Sequence, residues 1–330
     1  VDQGPVDALQ GRNRARFLHE AGVELMTSLQ SKEPDDVMTT GLADLDDVLG
    51  GYYVGDLVIG AGRPSMGKST FVTSTMMRSA RHGAVLLFTL EMSAESVTAR
   101  CASDISYKPS DGIAYARMMP GKRRGLSGHE LERIAVATDL FQSFPVVIDE
   151  RGGLSVAQIR ARATREAQRL SVKGHRLRLV IVDHLGLVNA GDRSSGNRAV
   201  DLGEMTSAFK AMAKDLGVTV LLLSQLNRGV EQRDDKVPKL SDLRDSGRIE
   251  EDADSIFTFY REAYYLSRET GGSTDEALAR EDQLRAVAND LDIHVVKNRH
   301  GRIGTVKAWV DMACAAVRDY PRPGEHERRE

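Results

Sequence analysis

The strongest candidate for a chemical site is the loop at residues 62–69, which reads GRPSMGKS and fits the phosphate-binding pattern GxxxxGK[ST]. An apolar run precedes this loop and a segment of helical character follows it, in the order that such a site requires. Its glycines let successive backbone N–H groups face phosphate oxygens, Lys68 supplies a cation, and Ser69 offers a hydroxyl to Mg²⁺. A chance match in an ordinary strand–turn–helix is the alternative, but the order of the elements favours a nucleotide site. The predicted ATP-binding residues are Gly62, Arg63, Pro64, Ser65, Met66, Gly67, Lys68, Ser69 and Thr70.

A carboxylate closes a second apolar run, because residues 179–183 read LVIVD and end on Asp183. Ligands bind at the carboxyl ends of strands in open α/β sheets, so Asp183 is expected beside the phosphate loop. A strand-end Asp is otherwise often a helix cap. Together with the loop, the pattern favours a magnesium site formed by Ser69 and Asp183, directly or through water.

Two further strand-end side chains have roles that the residues alone leave open. Glu91 follows the apolar run 86–90 and could polarise the water that attacks the γ-phosphate. It could equally be a structural partner or a cap for the next helix. Gln225 follows the run 220–224 and could either sense the γ-phosphate or lie on the surface. The loop after it, 226–248, is long and charged, and such loops are usually functional or disordered.

Two cations lie on one short turn near the end of the chain, in the segment KNRHG at residues 297–301. Lys297 and Arg299 could form a solvated surface. They could also reach a phosphate on an adjacent subunit, because phosphoryl transfer needs additional positive charge in its transition state. Both interpretations stay open at this point.

An alternation of strands and helices from about residue 39 must position these side chains. Nearly continuous runs of Val, Ile, Leu and Phe predict six strands of a parallel sheet that is buried on both faces. The predicted strands are 56–61, 84–90, 145–149, 177–183, 218–224 and 255–260. Helices are predicted between them near 68–81, 94–105, 128–141, 155–171 and 198–216. Residues 293–297 and 305–310 are expected to form a closing hairpin, and the polar segment 266–290 a helical or mobile insertion.

A separate helix is predicted at residues 6–31, before this unit. Its apolar stripe consists of Leu18, Ala21, Leu25 and Leu29. The helix could pack on its own domain or dock on a neighbouring subunit, and its separation by a polar connector favours docking. We therefore expect a linker helix and connector at 1–38, one α/β domain at 39–319 and a disordered tail at 320–330.

The composition argues against several classes of protein. A net charge of −3 and a pI of about 6.3 argue against a generally basic nucleic-acid-binding surface. Cys101 and Cys314 lie far apart and outside any CxxC pattern, so neither a disulfide nor a zinc site is expected. No apolar run approaches the ~18 residues of a membrane span, and no signal peptide is visible. We expect no membrane partner and a cytoplasmic location.

These segments together resemble the C-terminal motor of the DnaB-like, ring-forming replicative DNA helicases, which are RecA-like P-loop ATPases. The resemblance is collinear over about residues 39–311. Its segments are TGLADLD (40–46), GGYYVGDL (50–57), AGRPSMGK (61–68), LEMS (90–93), IVDHL (181–185), LSQL (223–226), EQRDDK (231–236), LSDLRDSG (240–247) and VKNRHG (296–301). The phosphate loop is shared by many NTPases, whereas residues 241–254 and the Lys-x-Arg-x-Gly turn are far more specific.

The resemblance implies a RecA-like α/β fold, with a mostly parallel central sheet, helices on both faces and a C-terminal β-hairpin. It implies hydrolysis of ATP with Mg²⁺, in which Glu91 would be the catalytic glutamate and Gln225 the coupling residue. Lys297 and Arg299 would act in trans on the ATP of a neighbour. The assembly implied is a homo-hexamer.

The resemblance also implies a nucleic-acid partner. The hexamer would translocate 5′→3′ on single-stranded DNA and unwind duplex at the replication fork. Arg244, Asp245 and Gly247 would lie in the loop that faces this DNA, and the helix at 6–31 would pack on the next subunit. A helicase loader and primase are the further partners that the family implies.

The sequence departs from the family pattern at three places. The N-terminal helical domain that forms a collar in the family has no counterpart here, as in a fragment or a shorter phage- or plasmid-type branch. The segment that begins at His184 reads His-Leu-Gly where Tyr-Leu-Gln is usual, and Asp245 stands where Glu is usual. Hydrolysis is still expected.

Two other functions compete with this one. A RadA-like ATPase that recombines or remodels DNA without unwinding would share the Lys-x-Arg turn, but the chain has no zinc motif and no protease-like C-terminal domain. A decoy subunit that caps and inhibits a helicase ring would need a broken site, and the motifs are intact.

Overall fold

A computed structural model describes residues 15, 17–30, 37–121, 125–191, 196–243, 246–269, 271 and 273–320. The expected helical residues before 15 and the expected tail after 320 lie outside these ranges. Arg244 and Asp245 also lie outside them.

The described part of the chain is built around a nine-stranded sheet, with a two-stranded ribbon beside it. The strands are β1 (Val37–Met38), β2 (Tyr52–Tyr53), β3 (Leu57–Gly62), β4 (Ala84–Thr89), β5 (Val146–Asp149), β6 (Leu177–Asp183), β7 (Thr219–Gln225), β8 (Ser255–Tyr260), β9 (Asp290–Asn298), β10 (Gly304–Asp311) and β11 (Ala316–Asp319). The order in the large sheet is β11-β10-β9-β8-β3-β7-β6-β4-β5. Strands β8 through β5 in that order are parallel, and β9, β10 and β11 are antiparallel. The predicted mostly parallel sheet is confirmed.

Helices cover both faces of this sheet. They are α1 (Leu18–Gln30), α2 (Ala43–Leu49), α3 (Lys68–Ser79), α4 (Ala94–Ile105), α5 (Gly128–Asp139), α6 (Val156–Val172), α7 (Arg198–Leu216), α8 (Ser246–Asp252), α9 (Glu262–Leu266) and α10 (Thr274–Val287). The six strands and five helices predicted for the parallel part are found within two residues of their expected bounds. Ser93, Ser127 and Ser155 cap α4, α5 and α6 through their side chains, which is why these helices begin where they do.

Two apolar layers hold the central strands in place. On one face, the Phe71 ring of α3 packs against Phe257 and Phe259 of β8 at centroid distances of 5.6 and 5.1 Å. On the other face, Phe88 of β4 and Phe209 of α7 belong to a second fully buried cluster. Strand β3 is buried along its whole length. The loop that follows β3 therefore starts from a fixed position.

The C-terminal strands are more extensive than the sequence indicated. The predicted hairpin is confirmed as β9 and β10, which pair from Val295↔Gly304 to Trp309↔Asp290. A third strand, β11, was not predicted. It is only four residues long, and the turn before it uses a positive φ of 51° at Ala315. Such a short strand is defined by its partner β10 rather than by its own apolar pattern.

Two helices lie outside the core. Of the two alternatives for 266–290, the helical one holds, because α10 occupies Thr274–Val287 with no buried residue. In α1, the apolar residues Leu18, Leu25 and Leu29 of the predicted stripe are all exposed. The described chain therefore leaves that stripe uncovered.

Both cysteines are free and buried. Within the ranges given above, no helix is long and apolar enough to cross a membrane.

Candidate nucleotide site

The loop between β3 and α3 is shaped to surround an anion. Gly67 takes a φ of 93°, a left-handed conformation that favours glycine, immediately before the first turn of α3. Pro64 and Ser65 are exposed at the tip of the loop, whereas Met66 and Thr70 are buried at its base. The first N–H groups of a twelve-residue helix thus face the same space as the loop.

Lys68 is the buried cation of this loop. Its ammonium group donates hydrogen bonds to the carbonyls of Gly62 and Arg63, at 2.8 and 3.1 Å. Burial lowers the pKa of Lys68 to about 8, although the carboxylates of Asp183 and Glu91 act in the opposite direction. An anionic phosphate beside this buried ammonium group would stabilise its charged form and raise its pKa again.

The two predicted magnesium ligands contact each other directly. Ser69 Oγ donates a hydrogen bond of 2.8 Å to Asp183 Oδ2 at the end of β6. Asp183 is almost fully buried, and burial raises its pKa above the ordinary range despite the hydrogen bond from Ser69. A bound cation would compensate that desolvation.

The oxygen donors of these two residues fit Mg²⁺, which prefers one or two carboxylates together with phosphate oxygens and water. No group of three His, Cys, Asp or Glu side chains that could hold a metal occurs within the described ranges. Phosphate oxygens of a nucleotide and water are the ligands that would complete such a magnesium site.

Glu91 lies at the same edge of the sheet. Thr89 of β4 pairs with Asp183 of β6, so Glu91 follows a strand that ends level with the proposed metal ligand. Its side chain is 60% exposed, and its Oε2 atom is 3.8 Å from His184 Nε2. An exposed carboxylate at this edge is accessible to water near the phosphate loop.

The alternative role of Glu91 as a helix cap is taken by other residues. Ser93 Oγ accepts the N–H of Ser96 at 3.2 Å. A carboxylate oxygen of Glu150 accepts the N–H of Ala94 at 2.5 Å. The beginning of α4 is therefore satisfied without Glu91.

Gln225 ends β7 directly beside the phosphate loop, because it pairs with Gly62 in the parallel β3–β7 ladder. The next residues hold that loop as well. Arg63 donates to the Leu226 carbonyl at 3.0 Å and to Glu231 Oε1 at 2.8 and 3.0 Å. This link was not expected from the sequence, because 168 positions separate Arg63 from Glu231.

His184 also belongs to this site. The sequence identifies it only as the residue that stands where Tyr is usual in the family, and predicts no role for it. Its ring lies near both Glu91 and Gln225, and the Gln225 amide nitrogen is 3.2 Å from His184 Nε2. Burial lowers the pKa of His184, with Asp183 and Glu91 opposing the shift. The available signal was a polar residue directly after a strand-end Asp.

Lys297 and Arg299 lie at the opposite edge of the sheet. Strand β9 is antiparallel to β8, so Asn298 pairs with Ser255, which is level with Val58 near the start of β3. At ~3.3 Å per residue, that level is about 13 Å from Gly62. The two cations are therefore not brought together with the phosphate loop of their own chain.

The same two cations contact the end of α8. Lys297 donates to the Glu250 carbonyl, while Arg299 donates to Glu251 O at 2.8 Å and to Asp254 Oδ1 at 3.0 Å. They line a surface cavity of about 540 Å³ together with Gly247. Gly247 is exposed in the first turn of α8, which begins inside the expected loop 226–248.

Sequence comparison finds one matching family over most of the chain. Residues 37–318 match the family described as the DnaB-like helicase C terminal domain. The chain is 36% identical over 325 residues to the replicative DNA helicase DnaB of Rickettsia conorii, covering 92% of this chain and 63% of that protein. It is 33% identical to the replicative DNA helicase DnaC of Bacillus subtilis, covering 98% of this chain and 65% of that protein. The chain thus spans less than two thirds of the length of these relatives.

Solved structures agree with the fold. One of them, described as an ATPase domain, superposes with a TM-score of 0.78 at 27% identity, covering 93% of this chain and all of that one. A DnaB-like replicative helicase, solved in a study of its interactions with primase, gives a TM-score of 0.75 at 27% identity. It covers 93% of this chain and 68% of that one. The predicted RecA-like fold is confirmed.

Proposed function

The chain belongs to the family of DnaB-like helicase C-terminal domains, and we propose that it is the ATP-hydrolysing motor of a DNA helicase. The observation that carries the proposal is the meeting of Lys68, Ser69, Asp183 and Glu91 at one edge of the sheet. A cation, a hydroxyl, a buried carboxylate and an accessible carboxylate are the groups that hydrolysis of a phosphoanhydride requires.

Each residue has a distinct part in the proposed reaction. Lys68 and the N–H groups at the start of α3 hold the phosphates of ATP. Ser69 and Asp183 hold Mg²⁺, which when bound neutralises charge on the phosphate oxygens. Glu91 orients the attacking water through a hydrogen bond and accepts its proton. Gln225, beside Gly62, senses the γ-phosphate and passes its position to the loop that follows.

We propose that the motor works as a homo-hexamer. Lys297 and Arg299 are turned away from the phosphate loop of their own chain, which supports a role at the ATP of a neighbouring subunit. The uncovered apolar stripe of α1 supports the same assembly, because a second copy could bury it. In this proposal residues 1–38 are the linker helix and connector, 39–319 the motor domain and 320–330 a tail.

The proposed substrate is single-stranded DNA, along which the ring moves 5′→3′ while it unwinds the duplex at a replication fork. Arg244, Asp245 and Gly247 are the residues proposed to face this strand. One arginine per subunit suffices when six subunits each hold a few phosphates, so the net charge of −3 is no obstacle.

Further partners follow from the relatives. One of the similar solved helicases is described together with its interactions with primase, and we propose primase and a helicase loader as partners here as well. A cytoplasmic location belongs to the same proposal.

The names of the relatives favour replication over recombination, and the intact site argues against an inactive decoy.

ATP hydrolysis at increasing concentrations of single-stranded DNA tests the proposal. The expected result is Mg²⁺-dependent turnover that DNA stimulates and that Lys68→Ala abolishes without loss of the fold. Turnover that DNA leaves unchanged would argue for an ATPase of another kind. Lys108→Ala, which changes an exposed lysine away from the site, is the matched control.

A further inference from the structure

His184 stands between the two strand-end residues that the proposed mechanism uses. Its Nε2 atom is 3.2 Å from the amide nitrogen of Gln225 and 3.8 Å from Oε2 of Glu91. The imidazole is 10% exposed, so bulk water has little access to it. Glu91 follows β4 and Gln225 ends β7, and the ring of His184, directly after β6, reaches both.

The backbone decides which ring nitrogen of His184 carries the proton. The N–H of Gly186 donates a hydrogen bond of 3.1 Å to His184 Nδ1. A nitrogen that accepts a hydrogen bond has no proton of its own, so the proton of the neutral ring is on Nε2. The Gln225 amide nitrogen, which lies 3.2 Å from Nε2, would then meet a second donor, so we assign the amide oxygen to that position, where a half-turn of the side-chain amide places it. One N–H donor therefore faces two acceptors, the Gln225 amide and the Glu91 carboxylate.

We propose that His184 is a positioning residue whose N–H donates to Gln225 and, when Gln225 moves away, donates to Glu91 instead. This change of hydrogen-bond acceptor couples the DNA-facing loop to hydrolysis. The inference rests on the proposed function. In the described structure the donor is within hydrogen-bonding distance of Gln225, whereas Glu91 is beyond it. A shift of about 1 Å brings Glu91 within bonding distance once Gln225 has left. Glu91, otherwise an exposed side chain free to change rotamer, is then held in one orientation.

A continuous set of contacts joins His184 to Leu243, the residue that precedes the proposed DNA-facing segment. Leu226, directly after Gln225, forms an antiparallel bridge with Leu243. The N–H of Asn227 donates to the Asp242 carbonyl at 2.9 Å. Leu243 directly precedes Arg244, so a displacement of the DNA-facing residues acts on the backbone next to Gln225. DNA binding and departure of Gln225 from His184 are thereby linked.

The test compares the effect of DNA on turnover in variants of His184. His184→Phe keeps a flat ring and removes both nitrogens, whereas His184→Gln keeps an N–H donor. We expect His184→Phe to lower the ratio of DNA-stimulated to basal kcat by roughly tenfold to a hundredfold, the range for one hydrogen bond to a charged group. The KM for ATP should change less than about twofold, because the phosphate loop is untouched. His184→Gln, and also His184→Tyr with its hydroxyl donor, should recover much of the ratio.

A double-mutant cycle separates coupling from simple structural damage. If His184 acts through Gln225, His184→Phe should cause no further loss of DNA stimulation in a Gln225→Ala background. Thermal unfolding identifies any variant that fails to fold. In that event His184→Met, which lacks a donor, takes the place of His184→Phe against His184→Gln.

Three results would overturn the inference: unchanged DNA stimulation in the donor-free variant, equal loss in the donor-free variant and His184→Gln, or full additivity with Gln225→Ala. These are distinct from failure of the proposed function. A wild-type protein whose turnover is insensitive to DNA contradicts that function, and the coupling with it. A DNA-stimulated wild type with an equally stimulated His184→Phe variant contradicts the coupling alone.

Discussion

The role proposed for Glu91 depends on the residues around it, because they decide whether it is needed as a helix cap. The sequence left it as a catalytic group, a structural partner or a cap for α4. Ser93 and Glu150 satisfy the N-terminal N–H groups of that helix, so Glu91 is not needed there. Its carboxylate is exposed at the edge that also carries Lys68 and Asp183. The role we propose for it is therefore to orient water.

Glu91→Gln should preserve ATP binding and remove hydrolysis, because an amide cannot accept the proton of the attacking water. The expected loss in kcat is roughly 10²-fold or more, the scale of a positioned acid–base group. Steady-state turnover and nucleotide affinity should be measured separately. Glu95→Gln, a change of an exposed glutamate in the first turn of α4, is the control. Near-normal kcat in Glu91→Gln would remove this residue from the mechanism.

The predictability of the site differs from residue to residue. The placement of Lys68, Ser69 and Asp183 could be predicted because their proposed function requires a local pattern, a loop after a strand or an acid at a strand end. His184 and the Arg63–Glu231 pair could not, since their roles depend on contacts between segments far apart in the chain. Spatial proximity of that kind is set by the order of strands in the sheet.

At the scale of elements, the parallel strands were predictable because burial on both faces requires continuous apolar runs. Strand β6 and strand β8 were found with the predicted bounds. Strand β11 was not predicted because its strand conformation depends mainly on pairing with β10 and not on an apolar pattern of its own. The start of α8 at Ser246 was missed for a related reason: its surroundings are polar and its seven residues show no clear apolar stripe.

The cap of α4 gives a prediction about stability. Ser93→Ala removes the acceptor for the Ser96 N–H and should lower the free energy of unfolding by about 0.5–2 kcal/mol. Glu91→Ala should change it by less than about 0.5 kcal/mol, as expected for an exposed residue without a capping role. Urea denaturation of both variants makes the comparison. A larger loss in Glu91→Ala than in Ser93→Ala would restore the capping interpretation of Glu91.

At the scale of the whole molecule, the proposed function divides an ATP site between opposite edges of one sheet. The phosphate loop is at the carboxyl edge of the parallel strands, and Arg299 is at the amino edge, held by Asp254 and Glu251. A complete site then needs two subunits placed side by side. This arrangement explains why a motor with an intact phosphate loop would depend on its assembly.

Mixed assemblies test this division. Arg299→Ala alone should lower ATP hydrolysis by a factor on the order of 10³, by analogy with other arginine fingers. When Arg299→Ala and Lys68→Ala subunits are mixed, activity should reappear wherever an intact phosphate loop meets an intact Arg299. Arg302→Ala, on the same turn and exposed, serves as the control. Absence of rescue at every mixing ratio would mean that Arg299 serves its own subunit or is only a surface charge.

Strand displacement on a forked DNA is the most direct measurement of the central claim, that this chain uses ATP to unwind DNA. We expect displacement that requires ATP and Mg²⁺, that needs a single-stranded 5′ tail on the strand along which the ring moves, and that Glu91→Gln abolishes. A fork with only a 3′ tail should remain paired. DNA-stimulated ATP hydrolysis without displacement of any substrate, or displacement that needs only the 3′ tail, would contradict it.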